Sequence, residues 1–324
     1  MNTPSNNKYI YIKLCEEKDN IPLFMQAWWM DAACYGKEWD VLLAEKEGKI
    51  VGVMPFHRLK RFGCKLIVQP PFTQYNGVWI DYPELSTEQE KYAFEKEIMM
   101  ELISKLDQLK LNYYEQNFHF SVTNWQPFYW KSFSQTTRYT YLIEDISDLH
   151  VVFDSFDYAK QKHIKKSQLL IDIDFTLSPN AFYDFHKQTL EQRGQQITYT
   201  RELFEQIHQA ATSRQQGIII SAKDKNGNLH AALFVVWDKN SAYNLISAID
   251  VDFKASGAST LVVWEIIRFL SDKTKSFDFE GSMIESVAKS FQQFGTVRIP
   301  YFTISKSYSK LVSWLIKIQK NGIS

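Results

Sequence analysis

The feature that most constrains the fold of this chain is a strand–turn–strand pattern that occurs once in each half. Residues 41–54 and 217–234 each contain two short apolar runs separated by a charged turn, and the turns carry Gly48 and Gly227 at corresponding places. In both segments the first run ends in alanine and follows a predicted helix. Two matching hairpins predict duplication of one α/β unit. Glycine turns between apolar strands are also common, so two independent hairpins are the alternative.

The length of the chain agrees with two domains. It has 324 residues, of which 45% are hydrophobic and 23% charged, and a domain spans about 150 residues. This composition is typical of a folded globular protein and not of a disordered one. We predict an α/β (α+β) fold with domains at 1–147 and 148–324, because a strand-like run ends near residue 146 and Asp148 begins a helical region.

Periodicity and capping signals predict the remaining elements. The clearest signal is a capping box, Thr87-Glu88-Gln89-Glu90, which opens a helix that runs to about Leu109. The other predicted helices are 21–34, 148–169, 179–193, 200–213, 258–272, 283–292 and 307–319. The other predicted strands are 9–14, 115–122, 134–146, 170–177, 276–279, 241–249 and 296–303. Helices and strands therefore alternate as in a mixed α/β protein.

Charge and hydropathy argue against several functional classes. Lys plus Arg and Asp plus Glu both number 37, so the chain as a whole offers no positive field to DNA or an anionic membrane, and such binding needs a local patch. No apolar run reaches the ~20 residues of a membrane span, and Met1–Lys8 lacks the features of a signal peptide. These observations predict a soluble, cytoplasmic protein. The three cysteines form no C-x-x-C pair, so no metal site is expected.

A turn of small residues between a predicted strand and a predicted helix is the strongest local signal for a ligand. Lys254, Ser256, Gly257, Ala258 and Ser259 form this turn and enter the helix. Backbone N–H groups at a helix start suit a phosphate or an oxyanion, because they lie at the positive end of the helix dipole. Capping of the helix by one of the serines explains the same residues without any ligand.

Two carboxylates on one predicted strand can act in proton transfer. Asp278 and Glu280 are two residues apart, so they point to the same face of the strand. A carboxylate that faces a cleft can accept an amine proton or orient a nucleophile. Alternatively, one of them caps the following helix and the other is solvated.

Two further segments can contact a substrate. A proline-bound loop is expected to expose Tyr75 and Asn76, and it either lines a site or is a rigid turn without a ligand. Lys162, Lys165 and Lys166 fall near one face of a predicted helix. They suit the phosphates of a nucleotide-sugar, a coenzyme or a tRNA, although a solvated charged face explains them equally.

Several motifs of the second half occur together in a fixed order. They are the helix with Lys165-Lys166, the hairpin at Gly227, Lys254-x-x-Gly257-x-Ser259, Phe277-Asp278-Phe279-Glu280-Gly281-Ser282 and Phe291-x-x-Phe294-Gly295. In this order, from about Asp157 to Ile304, the chain resembles the Fem-like branch of the acyl-CoA N-acyltransferase (GNAT) superfamily. The similarity extends weakly to the first half, through Glu47–Gly52 and the loop 69–77.

The resemblance implies an architecture and a reaction. Family members have two GNAT-like domains in tandem, each a mixed, mostly antiparallel twisted sheet flanked by helices, with an acceptor bound between the domains and an activated donor at the second. The implied reaction is direct attack of an acceptor amine on a thioester or ester, without a covalent enzyme intermediate and without a metal. Catalysis then comes from positioning and from donors aimed at the tetrahedral oxyanion.

The resemblance also suggests roles for the candidate residues. Lys254 and the amides around Gly257 would hold a phosphate or the oxyanion, and Glu280 or Asp278 would accept the proton. The acceptor would contact Tyr75, Asn76, Lys162, Lys165 and Lys166. In the GNAT pyrophosphate loop, Arg or Gln usually stands where this chain has Lys254 and Gly or Ala where it has Ser259, so the loop departs from the standard coenzyme A pattern.

Three functions remain open at this point. The first is an N-acyltransferase that uses an acyl-CoA or similar donor. The second is an aminoacyl-tRNA-dependent transferase of the peptidoglycan type, with a small-molecule or peptidoglycan-precursor amine as the acceptor. The third is a non-catalytic binding module that keeps the fold without the chemistry.

Overall fold

A computed structural model describes residues 5–35 and 37–309 of the chain. These residues form two compact units. The first unit comprises the described residues up to Arg138 together with those from Pro300 onward, and the second comprises Tyr139–Ile299. The division near residue 138 precedes the expected boundary at 147, and the return of the chain to the first unit has no signal in the sequence.

The first unit contains the helices α1 (Asn6–Glu17), α2 (Ala27–Ala33), α3 (Glu88–Gln108) and α4 (Gln126–Trp130) and the strands β1 (Glu38–Lys46), β2 (Lys49–Arg61), β3 (Cys64–Val68), β4 (Trp79–Ile80) and β5 (Tyr113–Asn117). The strand β6 (Ser134–Ile143) carries the chain into the second unit. That unit contains α5 (Leu149–Ser155), α6 (Tyr158–Ser167), α7 (Pro179–Glu191), α8 (Arg201–Thr212), α9 (Ala258–Leu270) and α10 (Glu285–Gln292), with β7 (Ile171–Asp174), β8 (Gly217–Asp224), β9 (Leu229–Trp237), β10 (Ser241–Ile249) and β11 (Ser276–Asp278). The strand β12 (Val297–Ser307) carries the chain back.

The sheets of the two units repeat one order of strand pairing. In the first unit the order is β1-β2-β3-β5-β12, and only the β3–β5 pair is parallel. In the second unit the order is β8-β9-β10-β11-β6, and only the β10–β11 pair is parallel. A long helix, α3 or α9, lies in the connection between the parallel strands, as a crossover requires. The shared order confirms the prediction of two similar mixed α/β units.

The last strand of each sheet comes from the other half of the sequence. The strand β6 pairs with β11 through Leu142 and Ile143, whereas β12 pairs with β5 from Thr303 to Ser307. The strand β7 pairs with β8 outside the repeated order, and β4 pairs with β2.

The two predicted hairpins are present, and they share a detail. Ala44 and Ala222 are fully buried, and the strand register shifts directly after each of them. A register shift of this kind bends a strand and increases its twist. The alanine that ends each apolar run in the sequence therefore marks the same irregularity in both units.

Each sheet buries a face against its crossover helix. The capping box of α3 is formed, because the Thr87 hydroxyl accepts from the Glu90 amide (3.2 Å) and the Glu90 carboxylate accepts from the Thr87 amide (3.2 Å). The apolar side of α3 packs closely on β2, and a Cβ at Gly52 would lie 2.3 Å from Ile98. In the second unit α9 is buried along Leu261, Val262, Ile266 and Leu270.

Some predicted elements differ from the structure. The strand predicted at 9–14 is wrong, since these residues belong to α1, where Ser5 caps the helix by accepting from the Lys8 amide (3.1 Å). Tyr11 and Leu14, three residues apart, are the buried side chains of this helix. The alternating residues therefore do not form the two faces of a strand. Their buried members, Tyr11 and Leu14, lie on the same side of a helix.

Two predicted helices are divided, and one extends beyond the described residues. The helix predicted at 21–34 consists of a 3₁₀ turn (Leu23–Met25) and α2, and the helical region predicted at 148–169 is divided into α5 and α6 at Phe156. The strand β12 continues to Ser307, so the start of the predicted helix 307–319 is strand, and its remainder from residue 310 lies outside the described residues.

Candidate functional site

The candidate site of the second unit lies where β10 and β11 separate. Their parallel pairing ends at Tyr243 and Asp278, while β10 continues to Ile249. Beyond Asp278 the chain turns toward β6, because the Phe279 amide donates to the Tyr141 carbonyl (2.9 Å). The two strands therefore diverge at their carboxyl ends, which is the edge where α/β sheets bind ligands. We call this place the strand fork.

The other side of β10 carries a bulge at the same level. Tyr243 pairs with Val236 and Ile246 with Phe234, so Asn244 and Leu245 together oppose a single residue of β9. A bulge leaves one residue without its ladder partner and redirects its backbone groups. Asn244 is buried, and its side-chain oxygen accepts from the Ser247 hydroxyl (3.2 Å). Sequence reasoning missed this bulge, although an asparagine in the middle of an apolar strand is a signal for it.

Asp278 lies at the base of the strand fork and is fully buried. Its Oδ1 accepts a hydrogen bond from the Thr140 hydroxyl and another from the Glu280 amide (2.7 Å). The first bond ties the carboxylate to β6, and the second holds the backbone of Glu280 against it. This geometry suits a residue that positions Glu280 more than one that releases and takes up protons itself.

Glu280 follows at the mouth of the strand fork in an unusual backbone conformation. Its φ is +61° and that of Gly281 is +71°, so both residues are in the left-handed region. Only glycine fits the second position, because a Cβ there would lie 2.1 Å from the Tyr139 carbonyl oxygen. The Oε1 atom of Glu280 is buried and has no hydrogen-bond partner among the described residues.

The electrostatic surroundings of Glu280 favour its protonated form. Burial raises the pKa of this carboxyl well above its usual range, and the nearby Asp278 raises it further. β11 ends at Asp278, so Glu280 lies beyond the strand, and the bond from its amide to Asp278, not strand alternation, brings the two residues together. The Asp278 carboxylate accepts hydrogen bonds from Thr140 and Glu280, whereas Glu280 has a buried oxygen with no hydrogen-bond partner among the described residues.

The predicted anion-binding turn lies between β10 and α9. Gly257 has φ +77°, and a Cβ there would lie 2.5 Å from the Ser167 hydroxyl of α6. That hydroxyl donates to the Ser256 carbonyl (2.7 Å), so α6 holds the turn in place. The requirement for glycine in this motif therefore comes from helix packing.

Three of the first four amides of α9 have acceptors within the chain. The Ala258 amide donates to the Ser256 hydroxyl (3.2 Å), and the Thr260 and Leu261 amides donate to the Gly257 carbonyl (3.0 and 3.1 Å). The N-cap of α9 is Gly257, so no serine side chain caps the helix, although Ser256 satisfies the Ala258 amide from the preceding turn. An anion-binding role for this turn depends chiefly on Lys254, which is exposed, and Ser259, which is half-buried.

The basic run lies on α6, and its members differ in environment. Lys162, Lys165 and Lys166 are exposed, as a solvated face predicts. Lys160, which sequence reasoning missed, is half-buried, and its ammonium group donates to the Ser290 hydroxyl (3.1 Å) and lies 4.3 Å from the centre of the Phe294 ring. Burial lowers the pKa of Lys160 to about 8.

The loop that was expected to expose Tyr75 and Asn76 is instead buried in the first unit, and both residues are 0% exposed. The Tyr75 ring has T-shaped contacts with Tyr301 and His119 at centroid distances of 5.1 and 5.0 Å. The Asn76 amide donates to the Asn117 carbonyl (2.6 Å). The expectation of exposure is wrong because an aromatic residue and a β-bridge anchor this loop on the sheet.

Residues 5–35 and 37–309 contain no group of three or more His, Cys, Asp or Glu side chains placed to hold a metal ion. They also contain no helix with the length and hydropathy needed to cross a bilayer.

Comparison with known proteins identifies the fold and one domain. Residues 174–283 match the family model of the acetyltransferase (GNAT) domain. No curated protein sequence matches the chain significantly. The matched segment runs from the end of β7 through the turn at Gly257 to the strand fork, so it contains both carboxylates. The predicted resemblance to GNAT proteins is confirmed in the second unit.

Solved structures with the same fold cover nearly the whole chain. FemX shares 11% identity at a TM-score of 0.66, over 93% of this chain and 97% of FemX. The C-terminal domain of a proposed lysylphosphatidylglycerol synthetase from Agrobacterium fabrum shares 8% sequence identity at a TM-score of 0.59. This match covers 98% of this chain and 97% of that domain. A tandem GNAT protein from the clavulanic acid biosynthesis pathway shares 8% sequence identity at a TM-score of 0.52. This match covers 95% of this chain and 97% of that protein. At these identities the likeness shows a tandem GNAT fold.

Proposed function

We propose that this protein is an N-acyltransferase that moves an acyl group from an acyl-CoA or similar thioester to an amine acceptor. The observation that carries the proposal is the position of Glu280. Its buried, unpaired carboxyl oxygen lies at the strand fork, inside the segment that matches the GNAT domain. A GNAT domain supplies the reaction class, and the carboxyl supplies a group able to accept the proton of the reaction.

The donor would be held at the turn between β10 and α9. Lys254 places an exposed positive charge there, and Ser259 adds a hydroxyl at the second position of the helix. Ser256, Gly257 and Ala258 would shape this turn, since their own groups are engaged in hydrogen bonding and packing. A single lysine and a helix start suit the phosphates of a coenzyme.

The proposed reaction is a direct displacement. The amine nitrogen attacks the thioester carbon, a C–N bond forms, the C–S bond breaks, and the thiolate leaves. Glu280 accepts the proton that the amine loses, and Asp278 positions Glu280 through its backbone amide. Backbone groups at the Asn244 bulge would face the oxyanion, where preorganised donors contribute most. No covalent bond to the protein is needed.

The raised pKa of Glu280 fits this role. A carboxylate of ordinary pKa is a weak base toward an amine, whereas burial and Asp278 make this one hold a proton more firmly. The reaction rate should therefore rise with pH as Glu280 loses its proton. The limb of the pH profile that reports this group should lie well above the usual range of a carboxyl.

A transfer assay with purified protein tests the proposal. Acetyl-CoA and longer acyl-CoAs are offered with a panel of primary amines, and release of free thiol is measured. Glu280→Gln should lower the turnover by about 10²–10⁴-fold, the usual contribution of a general base, whereas the exposed Glu285→Gln should not. Lys254→Ala should raise the KM for the donor. Unchanged turnover in Glu280→Gln would refute the assignment.

A second candidate is an aminoacyl transferase that takes its donor from tRNA. The exposed lysines Lys162, Lys165 and Lys166 favour it, because they lie on the helix that holds the donor turn. A peptidoglycan-precursor or lipid amine or hydroxyl would then be the acceptor. The same assay with charged tRNA in place of acyl-CoA distinguishes the two donors.

A further inference from the structure

The hairpin formed by β2 and β3 ends in a cluster of exposed basic residues around one phenylalanine. Lys60, Arg61, Phe62 and Lys65 form this cluster, which we call the basic tip. We propose that the basic tip binds the surface of an anionic lipid bilayer and so places the first unit against a membrane. This inference is independent of the proposed reaction in the second unit.

Phe62 occupies a position that the local backbone does not favour. It forms a two-residue turn with Gly63, and the two φ angles are +50° and +75°. Such a turn prefers Asn-Gly or Asp-Gly, because side chains without a short polar group are strained at positive φ. The residue is 92% exposed, so burial within the chain does not compensate for the strain.

The charges behind the turn are also unfavourable within the folded chain. Lys60 lies directly opposite Lys65 in the strand register, where like charges repel. In the part of the chain that the structure describes, no acidic side chain forms an ion pair with Lys60, Arg61 or Lys65. The sequence from Gly48 to Ile80 contains no Asp or Glu at all.

The neighbouring hairpin provides a comparison. Its turn, Glu47-Gly48, has nearly the same φ angles, +53° and +75°, and Lys46 lies opposite Lys49. There the turn residue is acidic, and Lys46 forms an ion pair with Glu97 (2.6 Å). The two turns therefore share a backbone geometry but differ in their side chains. At Glu47-Gly48 acidic residues balance the lysines, whereas at Phe62-Gly63 an exposed ring stands beside unbalanced positive charge. The basic tip thus combines a phenylalanine at an unfavourable φ angle with like charges opposite each other. Two unfavourable features at one place indicate a functional site.

The end of the described chain lies near the basic tip. The Lys65 carbonyl accepts from the Asn112 amide (2.8 Å), and the Asn112 carbonyl accepts from the Tyr308 amide (3.0 Å). The sequence that continues beyond Ser309 contains Lys310, Lys317 and Lys320 and no acidic residue. The last described residues therefore lie beside the hairpin that carries the basic tip, and the sequence after them is basic.

A bilayer fits this arrangement better than a nucleic acid does. An aromatic ring at the apex can enter the interface while lysines behind it remain among anionic headgroups. Single-stranded RNA is usually held by several aromatic faces in a row. The basic tip has one ring, and the Arg61 guanidinium already lies over it at 5.3 Å from its centre.

Vesicle flotation of the full-length protein tests the proposal. Vesicles of phosphatidylcholine alone are compared with vesicles that also contain phosphatidylglycerol, at low and high salt. The wild type should bind the anionic vesicles preferentially, and binding should weaken as salt screens the charges. Lys60→Ser with Lys65→Ser should weaken binding about five-fold for each lysine removed, and Phe62→Ser should weaken it several-fold.

The matched control is Lys46→Ser with Lys49→Ser, which removes the same charge from the other hairpin. Equal loss of binding in the two double variants, or equal binding of the wild type to both vesicles, would overturn the proposal. Binding of tRNA is measured with the same variants of the basic tip. If they lose tRNA binding but keep vesicle binding, the basic tip binds RNA and the proposal is wrong. Circular dichroism checks that each variant is folded. Transfer to a soluble amine should be unchanged, so failure of this proposal is distinguishable from failure of the proposed reaction.

Discussion

At the scale of single residues, Glu280 holds a carboxyl oxygen in a buried position without a hydrogen-bond partner. An ionised carboxylate in such a place lacks solvation, so its neutral form is favoured. Asp278 adds to this effect by its charge and at the same time fixes the Glu280 amide. The strand fork therefore contains two carboxyl groups in different environments, one that holds the Glu280 amide and one whose neutral form is favoured.

This arrangement has a consequence for stability. Because the folded-state pKa of Glu280 is raised, the folded protein keeps a proton that the unfolded chain releases at ordinary pH. The stabilisation from this group is present below the usual pKa of about 4.5 and is lost as the pH rises toward the folded-state value. Glu280→Gln removes the effect. The thermal midpoint of the wild type should fall relative to Glu280→Gln between about pH 5 and 8.

Thermal unfolding at several pH values measures this difference. Glu285→Gln, an exposed change at the start of α10, is the control and should run parallel to the wild type. Parallel curves for Glu280→Gln as well would mean that the Glu280 carboxyl is solvated and that its proposed role is mistaken.

At the scale of elements, the end of β11 depends on two consecutive residues in the left-handed region. The chain turns away from β10 there, and the turn brings Gly281 against the backbone of β6. Glycine at this place is a packing requirement, and it is the glycine of the sequence Phe277-Asp278-Phe279-Glu280-Gly281-Ser282. The separation of the two strands, and with it the site, follows from this contact.

Gly281→Ala should therefore destabilise the protein strongly. The new Cβ would meet the Tyr139 carbonyl and also adopt a strained φ, so we expect a loss of more than about 3 kcal/mol. Gly227→Ala is the matched control, because its φ is +84° but nothing lies within 4 Å of the new Cβ. It should cost only about 1 kcal/mol. Urea unfolding measures both, and equal losses would show that the contact is unimportant.

At the scale of the whole molecule, the two units repeat one strand order, and each takes its last strand from the other half of the sequence. The strand β12 completes the sheet of the first unit, where Ile304 is fully buried with the residues of α3. The first unit therefore requires residues that follow the second unit in the chain. Simple division of the sequence into halves does not separate the two folds.

This dependence predicts that a change in β12 destabilises the first unit. Ile304→Ala should cost about 2–5 kcal/mol, as truncation of a buried isoleucine does. Val297→Ala, on the same strand but 45% exposed, should cost less than about 1 kcal/mol. In hydrogen exchange, the amides of β5 should lose protection in Ile304→Ala while those of β10 keep it. Loss of protection in β10 alone would contradict the assignment of this strand.

Local signals in the sequence were sufficient for much of this protein. The capping box at Thr87, the two hairpins with their terminal alanines, and the strand at 241–249 follow from neighbouring residues, because capping, turn geometry and periodicity act over a few positions. The family motifs predicted the tandem GNAT fold and singled out Asp278 and Glu280 as candidate site residues. The strand predicted at 9–14 failed because alternating apolar residues also fit a helix with Tyr11 and Leu14 inward.

Only the tertiary structure decided which groups are buried and which neighbours they meet. Burial of Tyr75 and Asn76, the unpaired oxygen of Glu280 and the bulge at Asn244 arise from contacts between residues far apart in the chain. The exchange of β6 and β12 is also non-local, since a strand carries no label for the sheet that it joins. Sequence determined the elements and the chemical groups, because these depend on local residues. Their exposure, pairing and protonation depend on packing and so required the fold.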